Sequence, residues 1–125
     1  MIRLLNENDK YYFNKLIKSA ASENMYIVRK KNTYFGYFKD KEIIGIVGFY
    51  SFDEQKMIGF VNSFVLPIYR NQGIYKKLSQ FRLNYVKKHF KGYSVYVTAN
   101  DKSKYQLEND GFTFIESQYR MILNL

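Results

Sequence analysis

Phe64-Val65-Leu66-Pro67-Ile68-Tyr69-Arg70-Asn71-Gln72-Gly73-Ile74-Tyr75-Lys76-Lys77-Leu78 is the stretch that decides how this chain folds. It leaves an apolar run and enters a segment of helical spacing, so it joins a buried strand to a helix. The first turn of a helix has free backbone N–H groups and the positive end of the helix dipole. A glycine at that point, Gly73, lets a large anion approach the backbone closely. In an open α/β sheet, ligands bind at this place beyond the carboxyl end of a strand. The loop therefore reads as a phosphate cradle, with a plain tight turn as the alternative. It is not a P-loop, because the second glycine and the Gly-Lys-Ser/Thr ending are missing. It is not a dinucleotide fingerprint either, because the three-glycine spacing is absent.

Downstream, Tyr75–Phe90 reads as a helix with Leu78, Phe81, Tyr85 and Val86 as its buried stripe. Lys76, Lys77, Lys87 and Lys88 fall on its wet side, and Gly92 stops it. Tyr93–Thr98 follows as a strand. A strand, a helix and a strand in succession make a crossover, so Lys56–Val65 and Tyr93–Thr98 are expected to run parallel. A short helix over about Lys102–Asn109 ends near Gly111, and Thr113–Glu116 and Tyr119–Leu123 form a final hairpin or bent pair.

Upstream the pattern is an antiparallel meander. Tyr34–Phe38, Glu42–Phe52 and Lys56–Val65 are strands, separated by the turns Lys39-Asp40-Lys41 and Asp53-Glu54-Gln55. Ile2–Leu5 is a short first strand. Asn6 with Asp9 three residues later is a helix start, and Phe13, Leu16, Ile17, Ala20 and Ala21 give that helix one apolar stripe. Ser22–Asn32 reads mostly as loop.

The chain has 125 residues, 46% of them hydrophobic, which suits a single domain over residues 1–125 with its own core. There is no linker, repeat or low-complexity tract. The absence of cysteine excludes disulfides, thiolate metal sites and a cysteine nucleophile, and a lone histidine, His89, excludes an all-histidine metal site. No metal is expected. The net charge of +9 and a pI near 9.6 point to an acidic partner: nucleic acid such as RNA, a membrane surface, or a phosphate-rich cofactor. No segment has the apolar character of a signal peptide or of a roughly 20-residue membrane span, so no membrane partner and a cytoplasmic location are expected.

The quoted stretch resembles the cofactor-binding motif of the GNAT family of N-acetyltransferases, Val-x-Pro-x-x-Arg-x-x-Gly-x-Gly/Ala leading into a long helix. Val65, Pro67, Arg70 and Gly73 match at the right spacing. A second match lies downstream, where the family has Asn-x-x-Ala-x-x-x-Tyr-x-x-x-Gly-Phe. Asn100, Gly111 and Phe112 fit it, with Ser103 in place of the alanine. The order of elements agrees along nearly the whole chain. The resemblance implies an α/β fold: a single GNAT-like domain whose mixed, mostly antiparallel central sheet has a parallel β-α-β crossover and helices on both faces. It implies acetyl-CoA as co-substrate. The pyrophosphate would lie on the loop Arg70, Asn71, Gln72, Gly73, Ile74 and Tyr75, held by the amides from Gln72 to Tyr75. The pantetheine would pair with the backbone around Phe64 and Val65, and Asn100 would contribute downstream.

The chain departs from the family at three points. Tyr75 stands where the loop motif ends in glycine or alanine. Leu107 falls on the tyrosine that often protonates the departing CoA thiolate. The strand Lys56–Val65 lacks the glutamate that often acts as general base. A thiol of pKa ~8.5 is already a fair leaving group, and an α-amino group near ~8 needs far less help to lose its proton than a lysine near ~10.4. Asn62 and Ser63 are candidates to orient a relaying water, and Tyr105 is the hydroxyl nearest the missing tyrosine in sequence. His89, in the last turn of its helix, lies at the end opposite the cradle.

The expected activity is acetyl transfer to an amine, on a small molecule or a macromolecule, by direct attack on the thioester. The alternatives are a catalytically weak or inactive acyl-CoA-binding module and a basic nucleic-acid-associated protein. The short region before Thr33 implies an open acceptor groove. The chain is expected to be a monomer, or a homodimer formed through its C-terminal segment Phe114–Leu125.

Overall fold

The computed structural model describes residues 1–98, 103–115 and 120–125. Its elements in chain order are β1 (Ile2–Leu4), α1 (Lys10–Ala21), β2 (Thr33–Lys39), β3 (Glu42–Phe52), β4 (Met57–Val65), α2 (Ile74–His89), β5 (Ser94–Thr98), α3 (Lys104–Asn109), β6 (Thr113–Phe114) and β7 (Arg120–Asn124). A 3-10 turn, Glu7–Asp9, precedes α1, and another, Pro67–Tyr69, precedes the loop into α2. The strands form one sheet in the order β1-β2-β3-β4-β5-β7-β6. All neighbours are antiparallel except β4 and β5, which run parallel as the crossover requires.

Local chemistry sets the ends of these elements. Asn6 and Asp9 form a capping box, and Asp9 also receives both ends of the Arg3 guanidinium at 2.7 and 2.8 Å. Asp40 and Lys41 both take positive φ, the conformation a two-residue hairpin between β2 and β3 demands. Alternate residues of the sheet feed two cores. Tyr34, Ile46 and Phe64 pack with Phe13, Leu16 and Ala20 of α1, while Phe35, Val47 and Val65 pack with Ile74, Leu78 and Val86 of α2. Helices therefore cover both faces, with Leu107 of α3 on the α2 side.

The structure corrects one sequence-based expectation. The buried stripe of α2 is Ile74, Leu78, Ser79, Arg82, Leu83 and Val86, not the row through Phe81 and Tyr85. Phe81 and Tyr85 sit at the margin, edge-on to Phe35 at 5.1 and 4.9 Å. The last two strands pair antiparallel as expected, with β7 between β5 and β6. The short β6 forms that edge of the sheet and pairs with β7 at Ile122 and Met121.

Candidate functional site

β4 and β5 are paired only from Met57↔Ser94 to Gly59↔Tyr96. Beyond Gly59 the two strands part, and among the described residues nothing pairs with the β5-facing side of Phe60–Val65. A bulge strengthens the parting. The β3–β4 register shifts between Ile46 and Gly48, and opposite it Asn62 adopts φ 37°. The result is a cleft of about 470 Å³ bordered by Phe60, Val61, Asn62, Ser63, Val97 and Thr98, with Tyr75, Arg82 and Leu107 also lining it. A second cleft of about 600 Å³ runs from Ser63, Phe64 and Val65 over Arg70, Asn71, Gly73, Ile74 and Tyr75. Met25, Ser63 and Tyr75 line both, so the two form one groove from the head of α2 to the parted strands.

At the head of α2 the chain is bent by two left-handed residues, Asn71 at φ 64° and Gly73 at φ 79°. Gly73 is the N-cap and brings no side-chain cap; the first backbone bond of the helix runs from Lys77 N–H to the Gly73 carbonyl. The amides from Asn71 to Lys76 donate to no protein oxygen among the described residues. The first turn holds no acidic residue and contains Lys76 and Lys77. Lysines at the positive end of a helix dipole oppose the usual preference, and an anion seated there reverses the sign of that interaction.

Arg70, from the same loop, is turned away from these amides. Its Nε donates to the Val65 carbonyl at 2.9 Å, its Nη2 meets Glu23 at 2.9 Å, and its guanidinium lies 5.2 Å from the centre of the Phe64 ring. It ties the α1–β2 loop to the end of β4, so its side chain braces the groove while its backbone contributes to the loop. Gln72 lies at the head of α2 on the side of Tyr69 and Ile74.

Asn62 is held in place. The Tyr34 hydroxyl lies 2.8 Å from its Oδ1 and 2.9 Å from the Val28 carbonyl. Tyr34 is buried, and burial raises its pKa above the usual tyrosine value, so it stays a donor at neutral pH. Ser63 opens onto both clefts. Tyr105 does not: it is 66% exposed on α3, under the Lys104 ammonium at 5.2 Å, and lines neither cleft. Leu107, 3% exposed, takes the inward place. Asn100 lies outside the described residues. His89 is at the far end of α2, against Tyr85 at 4.3 Å.

Two residues escaped the sequence reading: Arg82, which lines the groove, and Tyr34, which holds the groove residue Asn62. Tyr34 looked like ordinary strand packing. Arg82 is 2% exposed, and burial lowers its pKa to about 10 while Tyr75 opposes the shift. The signal for Arg82 was present, since it stands four residues from both Leu78 and Val86.

Among the described residues no helix is long and apolar enough to cross a membrane, and no three of His, Asp and Glu converge on a metal site. No protein of curated function matches the chain in sequence. Solved structures match its fold over essentially its full length. A GNAT-family acetyltransferase from Staphylococcus aureus Mu50 superposes with a TM-score of 0.71 at 21% identity, covering 100% of this chain and 99% of the other. A Brucella melitensis GNAT-family acetyltransferase, solved with acetyl-CoA, gives 0.75 at 15% identity over 100% and 87%. PaiA N-acetyltransferase from Thermoplasma acidophilum, solved with coenzyme A, gives 0.65 at 12% identity over 100% and 99%. In sequence, the profile of the Acetyltransferase (GNAT) family matches residues 2–110, a span that takes in the α2 loop and the strands that part beside it; the chain belongs to that family.

Proposed function

We propose that this protein transfers an acetyl group from acetyl-CoA to an amine by direct attack of the amine on the thioester. The observation that carries the proposal is the groove itself: among the described residues, one groove is lined by unpaired amides at the head of α2 and by an unpaired edge of β4. One end suits a pyrophosphate and the other suits an extended chain that hydrogen-bonds to a strand. The residues present fit the co-substrate. The amides of Asn71–Lys76 hold its phosphates, Phe64 and Val65 flank its pantetheine, and Met25 and Tyr75 narrow the groove between them. Bound there, acetyl-CoA supplies an activated acetyl thioester.

The chain's own contribution is mainly positioning. Past the bulge at Asn62, the β5-facing side of β4 has no strand partner among the described residues, and backbone N–H groups on such an edge are suited to polarise an acyl carbonyl. Among the described residues no carboxylate lines the cleft between β4 and β5, and the one beside the cradle, Glu23, is engaged by Arg70. Deprotonation of the acceptor therefore falls to water ordered by Asn62 and Ser63, which favours an amine of low pKa. The hydrophobic Leu107 donates no proton to the leaving thiolate, which departs unaided or is protonated by solvent.

The same two features, Leu107 and the missing carboxylate, support a second reading, an acyl-CoA-binding module with little turnover. One experiment separates the two. The melting temperature is measured with saturating acetyl-CoA, CoA and ATP, and release of free CoA thiol is then followed with a panel of amines. A ligand at 100 times its dissociation constant stabilises the fold by about 2.7 kcal/mol. For a domain of this size that is a rise of roughly 10 °C. Stabilisation by acetyl-CoA and CoA but not ATP, with amine-dependent thiol release, is the expected result. Stabilisation without release selects the binding module, and no stabilisation refutes both.

A further inference from the structure

The side of α2 that packs on the sheet carries a polar row, Tyr75, Ser79 and Arg82, where apolar residues are expected. Arg82 is the element of this row that needs a reason. Its Nη1 donates to the carbonyls of Gly48 at 2.9 Å and Val61 at 3.4 Å, the strand pair that flanks the β3–β4 bulge, and its guanidinium lies 3.9 Å from the centre of the Phe60 ring. Nε has no hydrogen-bond partner, Nη2 donates to no protein atom among the described residues, and no acidic side chain there pairs with the charge.

The Gly48 and Val61 carbonyls account for one end of this side chain but not for its charge. A hydroxyl or amide would satisfy them without the penalty of burying an ion that has no counter-charge. The unused edge, Nε with Nη2, is the fork that matches a carboxylate in bidentate fashion. Arg82 is also the only charged residue lining the cleft between the parted strands, among the described residues. A single positive charge balances one carboxylate and leaves a phosphate dianion half compensated.

We propose that Arg82 is the floor of a carboxylate subsite in this cleft. The carboxylate belongs to a reactant of the acyl transfer: an amino-acid-like acceptor, or the far end of a dicarboxylic acyl group on CoA. The inference deepens the acyl-transfer reading and rests on it for the identity of the reactants.

The test compares matched ligands by calorimetry and by melting-temperature shift. In one arm succinyl-CoA is set against butyryl-CoA, which has the same chain length and no terminal charge. In the other, N-acetylglycine, N-acetylalanine and N-acetylphenylalanine are set against their amides, with and without CoA. The wild type is expected to prefer the carboxylate by about tenfold to a hundredfold in one arm, and that arm identifies the source. Arg82→Lys, which keeps the charge and loses the fork, is expected to bring the ratio to within about threefold of one. Equal binding in both arms overturns the subsite, as does a preference that Arg82→Lys leaves undiminished. Should the variant not fold, the wild-type ratios decide alone. CoA by itself is measured in parallel. A CoA response without carboxylate preference removes the subsite and spares the transferase reading, and the converse result does the opposite.

Discussion

A methyl group added at Gly48 tests whether the sheet and the groove are coupled as described. A β-carbon there would lie 2.5 and 2.8 Å from Cε1 and Cδ1 of Tyr34 and 3.1 Å from Cγ2 of Val61. Carbon atoms rest at about 3.5–4 Å, so the ring must move by roughly 1 Å. It has little freedom to do so. Tyr34 is 5% exposed, sits 5.3 Å from the Phe13 ring, and its hydroxyl is held between Asn62 and Val28. Overpacking of this kind costs about 1–3 kcal/mol, and a displaced hydroxyl loses about 1 kcal/mol more. Replacing glycine within a strand returns about 0.5–1 kcal/mol. Gly48→Ala should therefore destabilise the protein by about 2–3 kcal/mol, a fall of roughly 10 °C in melting temperature. Urea unfolding of Gly48→Ala, Tyr34→Ala and the double variant closes a thermodynamic cycle. If the tyrosine ring is what the methyl meets, the cost nearly vanishes in the Tyr34→Ala background and the coupling is about 1.5 kcal/mol or more. A loss below about 0.5 kcal/mol, or the same loss in both backgrounds, refutes the reasoning.

Two other perturbations probe the cradle and the first helix. Gly73→Ala meets no atom within 4 Å, so its cost is backbone strain alone at φ 79°; about 1–2 kcal/mol of stability should be lost, together with part of the stabilisation by CoA, both read in one melting experiment. Asp9 is held below the usual carboxyl range, first by the side-chain hydrogen bonds from Arg3 and then, more weakly, by the Asn6 amide and the Arg3 charge. A pKa lowered in the folded state gives stability that is complete above the unfolded value of ~3.9 and is lost as pH falls through the lower folded value. Urea midpoints taken from pH 6 down to 2 should fall less steeply for Asp9→Asn than for the wild type, and that variant should lose about 1–3 kcal/mol at pH 7. Parallel acid profiles for the two proteins would show that the pair contributes nothing.

Much of this protein is legible in its sequence. Strands β2 to β4 follow from unbroken apolar and aromatic runs between polar turns, α1 follows from the Asn6–Asp9 box and its stripe, and the crossover follows from strand, helix and strand in succession. These features are local, so short-range spacing encodes them. The free amides at the head of α2 were legible for the same reason, because they belong to the backbone and their exposure depends on one glycine and the start of one helix. Tertiary structure alone decided the parting of β4 from β5, since that requires a bulge in one strand set against the end of pairing in another. It also decided that β7 slips between β5 and β6. Above all it decided the fate of Arg82. Hydropathy turns α2 toward Phe81 and Tyr85. The sheet instead takes the neighbouring row, because the carbonyls of Gly48 and Val61 and the face of Phe60 lie where an arginine can reach them. A helix can present either row; which one is buried depends on what the facing surface offers, and that surface comes from residues distant in the chain.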